Sequence, residues 1–239
     1  MARLNVKNLP VATNVCEQVL REVEKQPEWS MAHVVMNPMA ESLLHHHERM
    51  REIYVITRGC GELVRGLTAY KNLVAGSACS IPSGMDHMLR NQTAGHLEHL
   101  VFALPPFDPN DVCLEKAEEL AGNFPRQFYL PEVQDCFDGA KILAYNFSEL
   151  ALSITFGWVT GDPAKRKEPH YHKNITEFVY VVEGAGFIEL DRVRQPIQPG
   201  DWIRINPGTE HALINKSAEG LVVVCACSPA FRMEDVHYK

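Results

Sequence analysis

The stretch Glu168-Pro169-His170-Tyr171-His172-Lys173-Asn174-Ile175-Thr176-Glu177 is followed downstream by Gly200-Asp201 and by Gly208-Thr209-Glu210-His211. His170 and His172 are two residues apart, so on an extended strand both imidazoles point to one face and Tyr171 to the other. Glu177 opens the run Glu177-Phe178-Val179-Tyr180-Val181-Val182, which has the length and the aromatic and β-branched content of a strand. A carboxylate that shares a strand face with Val179 and Val181 is costly to bury without a cationic partner, and a metal ion is such a partner. His170, His172, Glu177 and His211 therefore read as a metal site.

The chain states this pattern twice. His45, His47, Glu52 and Gly59 recur as His170, His172, Glu177 and Gly184 at an offset of 125 residues. Gly76, Gly84, His87 and Asn91 recur as Gly200, Gly208, His211 and Asn215 at an offset of 124. The repeat runs further, because Pro105, Phe107, Asp111 and Val112 return as Pro229, Phe231, Asp235 and Val236, again 124 residues on. A second candidate site, His45, His47, Glu52 and His87, follows. His46, between two of these histidines, is expected to point away from it. Asp86 beside His87 reads as a solvated turn residue or as a support for the site.

With 239 residues and 46% hydrophobic content, the chain has material for a substantial core, and the repeat divides it into two domains. The expected boundaries are 1–112 for the N-terminal domain and 113–239 for a linker and C-terminal domain. A net charge of −7 and the absence of a basic cluster interleaved with aromatics argue against a nucleic-acid partner. The start Met1-Ala2-Arg3-Leu4-Asn5-Val6 lacks signal-peptide character and no apolar run reaches membrane-spanning length, so the expectation is a soluble cytoplasmic protein without a membrane partner. Seven cysteines without a framework spacing suit a reducing compartment. Cys225 and Cys227 stand where the first half has Val101 and Ala103, and so read as small core residues.

Short apolar runs alternate with Gly, Pro, Asn and Asp turns, as in sandwich or barrel domains. Strands are expected over 30–36, 52–57, 97–104, 141–146 and 150–160, and Val15 to Val23 is compatible with a strand or a short helix. Asp111 to Gly122, with an acidic start and a glycine stop, reads as one short helix between the halves. Gly59, Gly61, Gly184 and Gly186 are expected at hairpin turns that need positive φ, with Gly84 and Gly208 tightening the turn before the last histidine.

These residues resemble the cupins, whose first motif is His-x-His followed by Glu and then Gly, and whose second is Gly, Pro-x-Gly, His and Asn. Gly76, Pro82, Gly84, His87 and Asn91 match the second motif fully, whereas Asn206 replaces its proline in the second half. Met39 and Ala164 stand where the first motif would begin with glycine. The resemblance implies an all-β bicupin: two double-stranded β-helix (jelly-roll) domains with a short helical linker and one metal pocket in each barrel. It also points to a homodimer.

Three imidazoles and a carboxylate suit a divalent transition metal such as Fe, Mn, Ni or Zn. Four protein donors leave roughly one or two coordination positions for substrate, the arrangement of catalytic sites rather than closed structural ones. The leading expectation is an Fe(II)-type oxygenase, a metal-dependent dioxygenase acting on a small oxygenated organic substrate. The alternatives are a non-redox isomerase, lyase or decarboxylase of a sugar or keto acid, and a non-catalytic binding protein. Arg204 and Arg90 are candidates for holding an anionic substrate group, and Tyr180 and Tyr54 for lining the pocket. The basic run Lys165, Arg166, Lys167 with Arg204 tilts the expectation toward the second half as the catalytic one.

Overall fold

The computed structural model describes residues 3–14, 18–115, 124–147, 151–162, 164, 168–217 and 220–239. It forms two compact units, Leu9–Leu130 and Pro131–Lys239, and Met1–Asn8 belongs to the second. Among the described residues every regular element is a strand or a short 3-10 turn, and no helix is long and apolar enough to cross a membrane.

The first strand, β1 (Arg3–Asn5), pairs antiparallel with Asp201–Ile203 of the second unit, and Val6 N–H donates to Gly200 O at 2.8 Å. The first unit contains β2 (Val19–Lys25), β3 (Ser30–Met36), β4 (His45–His47), β5 (Arg51–Arg58), β6 (Cys60–Arg65), β7 (Thr68–Val74), β8 (Ala78–Ile81), β9 (His87–Arg90), β10 (Leu97–Leu104), β11 (Val112–Leu114) and β12 (Phe124–Gln127). The second contains β13 (Gln134–Asp135), β14 (Lys141–Phe147), β15 (Leu152–Val159), β16 (Tyr171–His172), β17 (Thr176–Glu183), β18 (Gly186–Leu190), β19 (Val193–Ile197), β20 (Asp201–Ile205), β21 (His211–Asn215), β22 (Leu221–Ser228) and β23 (Val236–His237).

In the first unit the strand orders are β2-β3-β10-β5-β8 and β11-β4-β9-β6-β7-β12. In the second they are β1-β20-β17-β22-β15-β14-β13, with β19-β18-β21 and the pair β16-β23. Non-consecutive neighbours such as β10 with both β3 and β5 give the jelly-roll wiring, in which sheet edges are managed by a double-layered antiparallel sandwich. The repeat is visible in the register: Val101 lies opposite Ala32 and Tyr54, and Cys225 opposite Thr155 and Val179. Alternation then sends one residue set into each core. The first core gathers Met36, Tyr54, Ile56, Leu63, Leu73 and Leu89, and the second Val179, Val181, Ile188, Ile203, Ile205 and Val223.

The expected helix over 111–122 is not formed where the chain is described. Asp111 closes a 3-10 turn, Val112–Leu114 continues as strand β11 against His45–His47, and 116–122 lies outside the described residues. The cause is tertiary: the Asp111 carboxylate accepts from the backbone N–H groups of Arg49 and Met50, which draws the following residues onto β4. The glycine reading also divides. Gly184 has φ 81°, and a Cβ there would fall 1.8 Å from Gly220 O. Gly186 is not among the positive-φ residues, and is needed because a Cβ would meet Ile214 O at 2.1 Å.

Candidate metal centres and their cavities

Each site is assembled from both layers of its unit. In the first, β4 and β9 place His45 directly opposite His87, and β5 brings Glu52 to the same point. In the second, His170 and His211 exchange backbone hydrogen bonds at 3.1 and 2.7 Å, β16 carries His172 and β17 carries Glu177. The turn that returns the last histidine is tied to the first pair, because Gly84 N–H donates to His47 O and Gly208 N–H to His172 O, at 2.7 and 2.6 Å. Within each group of four, the potential donor atoms all lie within 4.8 Å of one another.

The orientation of five of the six rings is fixed by backbone carbonyls. Nδ1 of His45 faces Leu43 O at 2.8 Å, that of His47 faces Asp111 O at 3.1 Å, and that of His87 faces Met85 O at 2.9 Å. In the second unit His172 faces Asp235 O at 3.0 Å and His211 faces Thr209 O at 2.9 Å. A carbonyl oxygen only accepts, so each of these Nδ1 atoms must carry the proton, and in the neutral ring Nε2 is left as a lone pair. Yet Nε2 of His87 lies 2.9 Å from Glu52 Oε2, and Nε2 of His211 lies 3.1 Å from Glu177 Oε2. Two acceptors this close require a proton or a cation between them. His47 Nε2 is buried without a hydrogen-bond partner, 3.5 Å from the same Glu52 oxygen.

The titration behaviour follows. Burial alone would push the Glu52 carboxyl up, but His47 and His87 outweigh it and hold it well below the usual carboxylate range. His172 and His211 do the same for Glu177. Burial, then the neighbouring His87, depresses His45 to about 4; burial, then His211, depresses His170 to about 3. For His47 and His172 burial is opposed by the adjacent glutamate carboxylate, and both are raised. Three nitrogens and one anionic oxygen, pre-oriented and short of protons, fit a divalent transition metal.

The remaining expected site residues separate. Tyr54, two residues after Glu52, lies on the same strand face and lines the first-unit cavity. Tyr180 is three after Glu177 and falls on the opposite face, with Phe178 and Trp202. Arg204 alternates out of the core strand β20, donates to Asn206 Oδ1 at 3.1 Å and lies over the Phe178 ring. Arg90 is drawn to Glu62 at 2.9 Å and Glu41 at 3.3 Å. None of these three lines either cavity. Lys165, Arg166 and Lys167 lie outside the described residues. His46 points away and meets Asp86 and Glu115 at 3.1 and 3.3 Å.

Three features escaped the sequence reading. Asp111 and Asp235 brace the loops between His-x-His and Glu: Asp235 accepts from the backbone of Lys173, Asn174 and Ile175. Their recurrence at the common offset was the available signal. Cys225 has its thiol beside Glu177, and burial foremost pushes that thiol well above its ordinary value. The cavities, finally, are unequal: about 430 Å³ beside the first cluster and about 50 Å³ beside the second.

Residues 157–227 match the family model described as Cupin domain. An uncharacterised protein of Methanocaldococcus jannaschii is 33% identical over 66 residues, 28% of this chain and 53% of that protein. Protein SchB of Streptomyces halstedii is 35% identical over 65 residues, 27% of this chain and 47% of that protein. The chain thus spans about half the length of the curated relatives it matches. Among solved structures, vicilin from Solanum lycopersicum aligns with a TM-score of 0.72 at 15% identity, covering 95% of this chain and 85% of that one. An oxalate decarboxylase variant from Bacillus subtilis aligns at 0.68 and 14% identity, covering 96% and 78%. Residues 157–227 thus match a cupin domain, and the chain as a whole shares the two-domain jelly-roll fold of these structures.

Proposed function

We propose that this bicupin is a metal-dependent enzyme acting on a small oxygenated organic substrate, with the chemistry in the first unit. The observation that carries the proposal is the facing of imidazole Nε2 and carboxylate at 2.9 Å beside a cavity of about 430 Å³. A metal held by His45, His47, Glu52 and His87 would act as a Lewis acid toward substrate oxygen. The chain's own residues do the rest. Carbonyls of Leu43, Asp111 and Met85 keep the three rings aimed, and Asp111 fixes the loop that presents Glu52. Apolar walls from Leu20, Val34 and Val101 exclude water around the reacting group. His170, His172, Glu177 and His211 would hold a second metal, whose cramped surroundings favour a structural role.

Chemistry without net consumption of oxygen is the favoured branch over the oxygenase, since several of the similar folds are oxalate decarboxylases. The test is turnover of a panel of hydroxy-ketones, diketones and diols by metal-loaded protein under air and under argon. Equal rates in both, lost on Glu52→Gln and kept on Glu177→Gln, are expected. Turnover that stops under argon would establish the oxygenase instead, and turnover that depends only on Glu177 would move the chemistry to the second unit.

A further inference from the structure

The first-unit cavity has polar furniture that the second unit lacks. His99 is 2% exposed and lines the cavity, and its Nδ1 is buried without a hydrogen-bond partner. In the other half the residue 124 positions on is Val223, and the counterpart of Tyr54 is Val179, 125 positions on; both valines are packed into the second core. A histidine in a place where the same fold uses valine is a poor choice for packing, since a buried polar group without a partner opposes folding. The Tyr54 ring stands between, with its centroid 5.3 Å from that of His99 and 6.0 Å from that of His87.

Charge at this cavity bears on what enters it. Glu22 and Glu24 line it together with Glu52, the only basic residue among the described lining is Lys25, and no arginine is among them. Arginine is the side chain whose fork matches a carboxylate, so this wall offers a poor seat for a dicarboxylate. The volume also exceeds what a two-carbon acid would fill.

We propose that the first-unit cavity binds an uncharged, largely apolar organic molecule that gives oxygen to the His45, His47, Glu52 and His87 cluster and a second polar group to His99. His99 is then a positioning and specificity residue, reached past the Tyr54 ring, and the ligand spans from the cluster to the far wall. This rests on the metal reading above.

The experiment uses the full chain carrying Glu177→Gln, loaded with redox-inert zinc, with bound zinc measured first. Two matched oxygen chelators, 4-ethylcatechol and 4-(2-hydroxyethyl)catechol, and oxalate are titrated calorimetrically. The hydroxyethyl compound is expected to bind about tenfold more tightly than the ethyl one, and oxalate more weakly than either. His99→Val, which copies the other half, should erase the tenfold difference while leaving the ethyl affinity in place, and His99→Gln should restore most of it. Equal affinities before substitution, a preference that survives His99→Val, or oxalate binding tightest overturns the inference while bound zinc leaves the metal reading standing. Protein that takes up no zinc overturns both.

Discussion

At the scale of single residues, five of the six cluster histidines differ from ordinary buried ones in having their protons assigned by backbone carbonyls. Each glutamate is the only anion within its set of four, so its removal leaves three imidazoles with no charge to offset a cation. Glu52→Gln and Glu177→Gln are each expected to lower divalent metal content by about one equivalent per chain, measured by plasma emission after dialysis. Loss of neither would refute the assignment of these groups. The brace gives a second expectation. Asp235 is buried and accepts from three successive backbone N–H groups; burial raises its carboxyl, but the bonds from Asn174, Ile175 and Lys173 win and hold it low. Asp235→Asn should cost about 2–4 kcal/mol in urea unfolding, because the new amide N–H₂ faces donors. Asp111→Asn should act alike on the first unit. The four-residue sets were legible from spacing alone, since His-x-His parity and a fixed offset are properties of the sequence. Parity also separates the two tyrosines: Tyr54 is two residues from Glu52 and shares its face, whereas Tyr180 is three from Glu177 and stands on the opposite one.

At the scale of elements, strands were legible because their alternation survives burial, whereas residues 111–114, the described start of the expected helix, form a 3-10 turn and strand β11 because a tertiary acceptor decides there. Asp111 has a local reading as a helix start and a distant one as the seat for the Arg49 and Met50 amides, and the distant one wins. Short segments of this kind carry too little propensity to resist such a bond. Strand β1 shows the same limit. Arg3–Asn5 pairs with Ile203, Trp202 and Asp201, which no local pattern near residue 3 announces. The hairpin glycines allow a graded test. Gly184→Ala places a methyl 1.8 Å from Gly220 O in addition to its positive φ, whereas Gly84→Ala has positive φ and open space around the new carbon. The second should cost only the conformational term of about 1–2 kcal/mol. The first should be several kcal/mol worse, seen as a lower melting temperature of the second unit. Equal costs would mean that the β17–β18 turn can spread to admit the methyl group.

At the scale of the whole molecule, one pattern is repeated in two different surroundings. The ligating types are duplicated, but the walls are not: Tyr54 and His99 face the large cavity where the other half packs Val179 and Val223. Offset arithmetic reads what two halves share, and so it could not weigh the basic run near residue 165 against a cavity whose size depends on every inward side chain. A shared property does follow for both units, the response of metal-free protein to acid. His45 is depressed to about 4 and His170 to about 3, chiefly by burial, so below the ordinary imidazole value of 6.5 the unfolded chain takes up protons that the folded chain refuses. These two groups therefore lower stability as pH falls from about 6.5 toward 4, by roughly 3 kcal/mol for His45 alone, and the raised His47 and His172 offset part of this. Glu52 and Glu177 add to the slope below their ordinary value of 4.5, because folding keeps them ionised while the unfolded chain protonates. A bound divalent metal needs the same deprotonated groups and competes with protons, so it should raise stability most near neutrality and be released across the same window. Melting temperatures of chelator-treated and zinc-loaded protein, measured from pH 7.5 to pH 4, should therefore diverge at neutral pH and converge in acid. Parallel curves with a constant gap would show that the bound metal does not compete for these imidazoles, and a gap that widens in acid would show that it binds elsewhere.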